Sequence, residues 1–161
     1  MRIAVLSDTH GDTLSTLAAV RMLECLEVEV ILHCGDIGTP AIPHLLQSWP
    51  THYVFGNCDG NEPLLREAIQ SAGHTCHERL AELTLDGRRI AIIHSDDRWQ
   101  FLETVRSNKF DLVCYGHTHI AKQEQVGKTL VLNPGALHRA NPHSVAIVDL
   151  ATLEATIVEV R

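Results

Sequence analysis

The pattern of apolar and polar positions in the first third of the chain predicts parallel strands joined by helices. The apolar run at residues 2–6 ends at a polar Ser7, which is typical of a strand buried on both faces. Residues 13–26 repeat apolar side chains with helical spacing. Apolar runs at 29–33 and 52–55 predict two more strands, and Thr39-Pro40 between them predicts a helix start. This alternation favours a parallel sheet with right-handed crossovers.

The remainder of the chain changes from crossovers to hairpins. After a predicted helix at 62–72, apolar runs at 80–85 and 88–94 flank Asp86-Gly87, a two-residue hairpin turn. The other predicted elements are a helix at 96–107, a buried strand at 112–115 and hairpins of 121–126 with 129–132 and of 144–150 with 154–160. The strand count predicts an α/β fold in which two mixed sheets pack face to face beneath outer helices, as a single domain over 1–161.

Composition narrows the range of partners. The 161 residues carry 13 Lys and Arg against 20 Asp and Glu, a net charge of -7, with no basic tract. Extended nucleic-acid binding is therefore disfavoured. No apolar run is long enough for a membrane helix, and the stretch at 3–6 is too short for a signal peptide. We expect a cytoplasmic protein without membrane contact that begins at Met1.

Cysteine and histidine point to different chemistry. The five cysteines are odd in number and form no CxxC pair, which favours reduced thiols over disulfides or a zinc knot. Eleven histidines in so short a chain suggest metal binding instead.

Seven potential metal ligands follow the ends of predicted strands. Because parallel strands of one sheet place their carboxyl ends along a single edge, we expect these side chains to converge. Each has an ordinary structural explanation on its own, such as a hydrogen-bonded strand-end histidine or a turn, but their combination favours a metal site. The seven are Asp8, His10, Asp36, Asn57, His94, His117 and His119.

Their chemistry suits a pair of divalent ions. Asp8 and His10 are two residues apart, as are His117 and His119, so an extended backbone would project each pair to one side. The Asp36 carboxylate can bridge two ions, one on each oxygen. Mixed imidazole, carboxylate and amide ligands favour manganese, or nickel, iron, cobalt or zinc, over magnesium and calcium.

The motifs carrying these residues resemble those of the calcineurin-like metallophosphoesterase superfamily, and more narrowly its compact single-domain bacterial and archaeal phosphodiesterase branch. The resemblance covers nearly the whole chain and implies a four-layer α-β-β-α sandwich. The motifs are Asp8-Thr9-His10, Gly35-Asp36, Gly56-Asn57-Cys58-Asp59, His94, Gly116-His117-Thr118-His119 and Asn133-Pro134-Gly135.

The resemblance also implies roles for these residues. A hydroxide bridging the two ions would attack a small phosphodiester substrate in line. Catalytic roles are implied for Asp36, Asn57, Cys58 and His94, with substrate contacts from Asn57 and Cys58. The implied ligands are Asp8, His10, Asp36 and His119 for one ion, and Asp36, Asn57, His94 and His117 for the other.

Several positions depart from the family pattern or stay open. Cys58 replaces the usual histidine proton donor, and it is either a weaker donor or a small residue that widens the site. Ser95 replaces a glycine, and we expect it to cap the next helix. Asp59 either orients a neighbouring group or is an exposed turn residue, and we expect the latter. We expect His138 and Arg139 to be surface residues unless their loop reaches a substrate phosphate.

Three other activities or states compete with this reading. A phosphomonoesterase or a nucleotide pyrophosphohydrolase would use the same metals, and a non-catalytic protein-binding scaffold would share the fold. The complete ligand set favours an enzyme. The sequence leaves a homo-oligomer open.

Overall fold

The computed structural model describes residues 1–161 and contains eleven strands and four helices. The first half consists of β1 (Arg2–Leu6), α1 (Thr13–Leu23), β2 (Val30–His33), α2 (Ala41–Leu45), β3 (Thr51–Tyr53), α3 (Glu62–Ser71) and β4 (Thr75–Cys76). The second half consists of β5 (Leu80–Leu85), β6 (Arg88–Ile93), α4 (Arg98–Arg106), β7 (Leu112–Tyr115), β8 (Lys122–Val126), β9 (Thr129–Asn133), β10 (Ser144–Asp149) and β11 (Glu154–Glu159). None of the helices has the length and apolar character needed to cross a membrane.

The strands form two mixed sheets. The six-stranded sheet has the order β11-β10-β1-β2-β3-β4, in which β1 to β4 run parallel and the β10–β11 hairpin joins antiparallel to β1. The five-stranded sheet has the order β5-β6-β7-β9-β8, with β6, β7 and β9 parallel. Leu6 lies opposite His33 in one sheet, and Ile93 lies opposite Tyr115 in the other. The carboxyl ends of these strands are therefore level with each other.

Three apolar layers hold the sheets and helices together. Buried side chains of β1, such as Ile3 and Val5, pack against Ile92 and Cys114 of the other sheet to form an inter-sheet core. The opposite face of the six-stranded sheet packs against helices α1 and α3. The outer face of the five-stranded sheet is covered by α4, where Val105 packs on the strands. The predicted four-layer sandwich is confirmed.

The Asp86-Gly87 hairpin is also confirmed, because both residues have positive φ, of 50° and 76°, and Leu85 pairs with Arg88. A type I′ turn needs this conformation at both central positions.

Other boundaries differ from the prediction. Helix α1 ends at Leu23, three residues early, because the chain turns there and Glu27 adopts a φ of 53°. Strand β4 was not predicted, since two residues give no apolar pattern. Helix α4 is capped by Asp97, whose carboxylate accepts hydrogen bonds from Trp99 N and Gln100 N. The expectation that Ser95 caps this helix is wrong.

Candidate metal centre

The predicted ligands come from strand ends of both sheets. Asp8, Asp36 and Asn57 follow β1, β2 and β3 of the six-stranded sheet. His94 follows β6, and His117 follows β7, in the five-stranded sheet. The expectation of a single sheet edge is therefore wrong. The ligands instead meet where the carboxyl ends of two stacked parallel ladders lie side by side.

The Asp36 carboxylate lies at the middle of the cluster. Its Oδ2 atom is 3.5 Å from His10 Nε2 and 3.3 Å from His94 Nε2. One oxygen of this side chain therefore faces imidazoles on two sides, a geometry suited to a bridging ligand.

The Asp8 carboxylate faces the same space from β1. Its Oδ1 atom is 3.3 Å from His119 Nε2, 3.9 Å from His10 Nε2 and 4.0 Å from His94 Nε2. His10 Nε2 and His119 Nε2 are themselves 3.3 Å apart. The ligand atoms of Asp8, His10 and His119 all lie within 4.8 Å of one another, as do those of Asp8, Asp36 and His94.

Two predicted ligands are less closely engaged. The His117 ring stands edge-on to the His94 ring with centroids 5.1 Å apart, and its backbone N–H donates to Asp8 Oδ2 at 3.0 Å. The Asn57 side chain is exposed, and its amide donates to Cys58 Sγ at 3.4 Å. The structure brings His117 next to the cluster and places Asn57 at its solvent side.

Two buried atoms at the centre have no hydrogen-bond partner. His94 Nδ1 donates to the carbonyl of Cys34 at 2.7 Å, so a neutral His94 has a lone pair on Nε2. This Nε2 atom and Asp8 Oδ1 are both buried and unpartnered. A lone pair facing carboxylate oxygens is unfavourable without a cation between them. Histidine ligands of metals typically bond a carbonyl or carboxylate through the other nitrogen in this way, so the residues fit a divalent ion.

The charges of the cluster are coupled. Burial would raise the pKa of the Asp36 carboxyl, but the contact with His94 and the Cys58 N–H outweigh it and hold that pKa well below its usual range. Burial would lower the pKa of the His94 imidazole, but Asp36 and Asp8 outweigh it and raise that pKa. For His10, burial dominates and lowers the pKa. The Asp36 carboxylate thus remains ionised and favours a positive charge beside it.

The backbone at the ligands is left-handed rather than extended. Asp8, His10 and Asp36 have φ values of 54°, 44° and 54°, and His117 and His119 have values of 70° and 59°. The expected projection of paired side chains from an extended strand is therefore wrong. Non-glycine residues in this region cost about 1–3 kcal/mol each and cluster at functional sites.

Two glycines allow the loops to approach. A Cβ atom added to Gly56 would collide with Asp36 Oδ1, and one added to Gly116 would collide with Ser7 Oγ and lie 2.8 Å from Asp8 Oδ2. Both carboxylates therefore sit against backbone where no side chain fits.

Asp59 is buried, and the expectation of an exposed turn residue is wrong. Its Oδ1 accepts from Gly38 N at 3.0 Å, and its Oδ2 accepts from Gly56 N at 2.9 Å. Burial raises the pKa of this carboxyl, although both N–H groups oppose that effect. Asp59 thereby joins the loop after β2 to the loop after β3. The only sequence signal was its place in the Gly56-to-Asp59 motif.

Cys58 lies at the solvent side of the bridging carboxylate. Its N–H donates to Asp36 Oδ1 at 2.8 Å, and its exposed Sγ lies within 4.8 Å of ligand atoms of His10 and Asp36. Burial and the neighbouring Asp36 raise the pKa of this thiol. Cys58 is therefore a neutral thiol at neutral pH.

His138 lies beside the cluster rather than on a remote surface loop. Its ring centroid is 5.3 Å from that of His10, and its Nδ1 is 3.4 Å from Asp12 Oδ2. Arg139 next to it has a φ of 48°. Thr9 and His33 are buried beneath the ligand loops and were not among the predicted site residues, although Thr9 lies within the Asp8-Thr9-His10 motif.

One groove of the molecule lies away from the metal cluster. It has a volume of about 640 Å³ and lies between α4 and β5, with Leu80, Trp99 and Phe110 among its lining residues. None of the predicted site residues lines it. This groove is therefore separate from the metal cluster.

Comparison with known proteins identifies the family of the chain. A family model for the calcineurin-like phosphoesterase superfamily domain matches residues 1–153. The chain is 27% identical to phosphodiesterase MJ0936 of Methanocaldococcus jannaschii, over 84% of this chain and 83% of that protein. It is 30% identical to the probable metallophosphoesterase YsnB of Bacillus subtilis, over 100% of this chain and 89% of the relative.

Solved structures share this fold over the whole chain. A protein described as a novel archaeal phosphodiesterase superposes with a TM-score of 0.91 over 99% of each chain, at 24% sequence identity. At this identity the likeness concerns the architecture.

Proposed function

The chain belongs to the calcineurin-like phosphoesterase superfamily, and we propose that it hydrolyses small phosphodiesters with two divalent metal ions. The activity is assigned to residues 1–161 acting as one domain. The diester preference is supported by the name of the M. jannaschii relative, a phosphodiesterase.

The observation that carries the proposal is the pair of unpartnered atoms at the centre of the cluster. His94 Nε2 and Asp8 Oδ1 are buried without a hydrogen bond, and both face the space beside Asp36. Buried polar atoms nearly always have a hydrogen-bond partner or another ligand, so these two atoms favour a cation bound in the space between them. A protein-binding scaffold would have no need of such a site.

The ligands divide into two sets that share Asp36. We assign Asp8, His10, Asp36 and His119 to one ion, and Asp36, Asn57, His94 and His117 to the other. The mixed donors favour manganese, with nickel, iron, cobalt and zinc as alternatives. When bound, the ions would lower the pKa of a coordinated water toward neutrality and offset charge on the phosphoryl oxygens.

The chain itself fixes the direction of each carboxylate. One oxygen of Asp36 accepts the Cys58 N–H, and one oxygen of Asp8 accepts the His117 N–H. In each case the second oxygen is left to face the centre. Backbone donors therefore hold both carboxylates in place before any ion arrives, which reduces the reorganisation that binding would require.

A substrate would approach the cluster from its solvent side, where Asn57, Cys58 and His138 lie. Asn57 and Cys58 are exposed beside Asp36, and His138 is partly exposed beside His10. Asn57 and Cys58 are assigned contacts with the phosphodiester. A neutral thiol is a poorer proton donor than an imidazolium, so diesters with good leaving groups should be the better substrates.

The test is hydrolysis of matched aryl diester and aryl monoester substrates by metal-stripped protein reconstituted with Mn²⁺, Ni²⁺, Zn²⁺ or Mg²⁺. We expect diester hydrolysis that returns with a transition metal and is abolished in Asp36→Ala, because this substitution removes the shared ligand. Glu67→Ala, which removes an exposed carboxylate on α3, is the control and should retain activity.

Two results would overturn the proposal. A monoester or a nucleoside polyphosphate hydrolysed much faster than the diester would replace the substrate class. Full diester hydrolysis by the stripped protein, or by Asp36→Ala, would remove the metal mechanism.

A further inference from the structure

Thr9 and His33 form a buried hydrogen-bonded pair directly beneath the ligand loops. Thr9 Oγ1 is 3.1 Å from His33 Nε2, and both residues are fully buried. Thr9 lies between the ligands Asp8 and His10, while His33 ends β2 three residues before Asp36. The pair thus connects the two loops that supply three of the proposed ligands.

The direction of these hydrogen bonds is determined by the neighbouring backbone. Gly35 N donates to His33 Nδ1 at 3.3 Å, so this nitrogen is an acceptor and the ring proton is on Nε2. Nε2–H then donates to Thr9 Oγ1. The Thr9 hydroxyl in turn donates to the carbonyl of Ile37 at 3.0 Å. A single chain of hydrogen bonds therefore starts and ends in the loop after β2 and passes through Thr9.

The same two loops are also joined along their backbones. Asp8 N donates to Gly35 O at 3.0 Å, and His10 N donates to Asp36 O at 2.8 Å. These contacts occur where Asp8, His10 and Asp36 hold left-handed φ values. Strained conformations of this kind persist only when the surroundings fix them strongly. The hydrogen bonds of the Thr9 side chain add to these backbone contacts in holding the two loops together.

We propose that Thr9 and His33 are positioning residues that hold the Asp8–His10 loop at the spacing from Asp36 that metal binding requires. The proposal rests on the proposed function, since it concerns the same ions. Neither residue is among the assigned ligands of the ions or the assigned contacts of the substrate. Thr9 and His33 keep the metal ligands in place in the metal-free protein. Removing this restraint should therefore weaken the affinity for the metal. Outer partners of metal ligands typically change affinity by about 10–100-fold when they are removed.

The experiment compares Thr9→Val, which keeps the shape but removes the hydroxyl, with Thr9→Ser, which keeps the hydroxyl. The matched control is Thr129→Val at the start of β9, where a buried hydroxyl donates to Phe110 O at 2.7 Å far from the ligand loops. Mn²⁺ binding to each metal-stripped protein is measured by calorimetry, and thermal unfolding of the same samples is recorded. Nitrogen NMR of the wild type and of Thr9→Ser reports which nitrogen of His33 carries the proton.

We expect Thr9→Val to weaken Mn²⁺ binding by about tenfold or more, while Thr9→Ser stays within about threefold of wild type and Thr129→Val leaves the affinity unchanged. NMR should show the Nε2–H form of His33. Three results would overturn this inference and leave the proposed function intact. They are a folded Thr9→Val protein with wild-type affinity for Mn²⁺, an equal loss of affinity in Thr129→Val, and a His33 proton on Nδ1. If Thr9→Val does not fold, Thr9→Ser and the NMR result decide. Wild-type protein that bound none of Mn²⁺, Ni²⁺ and Zn²⁺ would overturn the proposed function, and this inference with it.

Discussion

The two nitrogens of His94 have different environments, and this difference is the basis of the site. The carbonyl of Cys34 fixes the proton on Nδ1 and leaves Nε2 facing Asp36. Residue types and spacing were enough to predict that His94 and Asp36 would meet. They gave no indication of the left-handed backbone at Asp36, because aspartate is one of several types that tolerate this conformation only when tertiary contacts require it.

The burial of Asp59 was likewise hidden from the sequence. A turn aspartate is usually exposed, and only the fold shows that two backbone N–H groups, from Gly38 and Gly56, meet at its carboxylate. Polar residues that connect loops in this way depend on contacts distant in sequence, which local patterns do not contain.

Cys58 provides a prediction about proton transfer to the leaving group. Burial and Asp36 raise the pKa of its thiol, so the side chain is neutral but a weak donor. Cys58→His should speed hydrolysis of alkyl diesters, whose leaving groups depart poorly, by up to about 100-fold. Aryl diesters should change much less. Steady-state rates over a series of leaving groups measure the difference.

Cys58→Ala is the control for this prediction, because it stays small but has no donor. Equal rates for Cys58→Ala and wild type across the series would mean that Cys58 only widens the site. A uniform effect of Cys58→His on all leaving groups would contradict the proton-donor role.

At the scale of the elements, apolar runs and turn residues predicted most of the fold. The strand β7 was placed without error, and the β5–β6 hairpin followed from its turn. The predicted end of α1 was too late because Leu26 packs against the core from a turn, which imitates helical spacing. Contacts between the helices and the six-stranded sheet determine where this helix ends, and these contacts join residues distant in sequence.

The cap of α4 allows a test of the corrected helix start. Asp97 accepts the N–H groups of Trp99 and Gln100, both at 3.0 Å. Asp97→Ala should lower the free energy of unfolding by about 1 kcal/mol, because two helix N–H groups lose their acceptor. Asp97→Asn, which keeps an acceptor, should cost much less. Urea unfolding compares them, and equal stability of Asp97→Ala and wild type would contradict the assigned cap.

At the scale of the whole molecule, buried histidines make stability depend on pH. Burial lowers the pKa of His33 from 6.5 to about 3, and it also lowers those of His52, His74 and His77. The unfolded chain binds protons below pH 6.5 that the folded chain does not accept. Stability of the metal-free protein should therefore fall as the pH drops from about 6.5 toward 3.

His33→Gln isolates one part of this dependence. A single non-titrating replacement should reduce the slope by up to about 1.4 kcal/mol per pH unit between pH 6 and 4, whatever its effect on stability at pH 7. Urea unfolding in the presence of a chelator, at several pH values, measures both slopes. Parallel slopes for the two proteins would contradict a neutral, buried His33.

Because donors arrive from both sheets, the centre depends on how the two layers are aligned. Asp8 and Asp36 belong to one layer, while His94 and His119 belong to the other. The apolar interior between the layers sets their separation, together with the hydrogen bonds of His94 to Cys34 O and of His117 N to Asp8. A shift of about 1 Å between reacting groups can cost about 100-fold in rate. Ile92→Val, a substitution within that interior and outside the proposed ligand set, should therefore lower the rate of hydrolysis by changing how the two layers align.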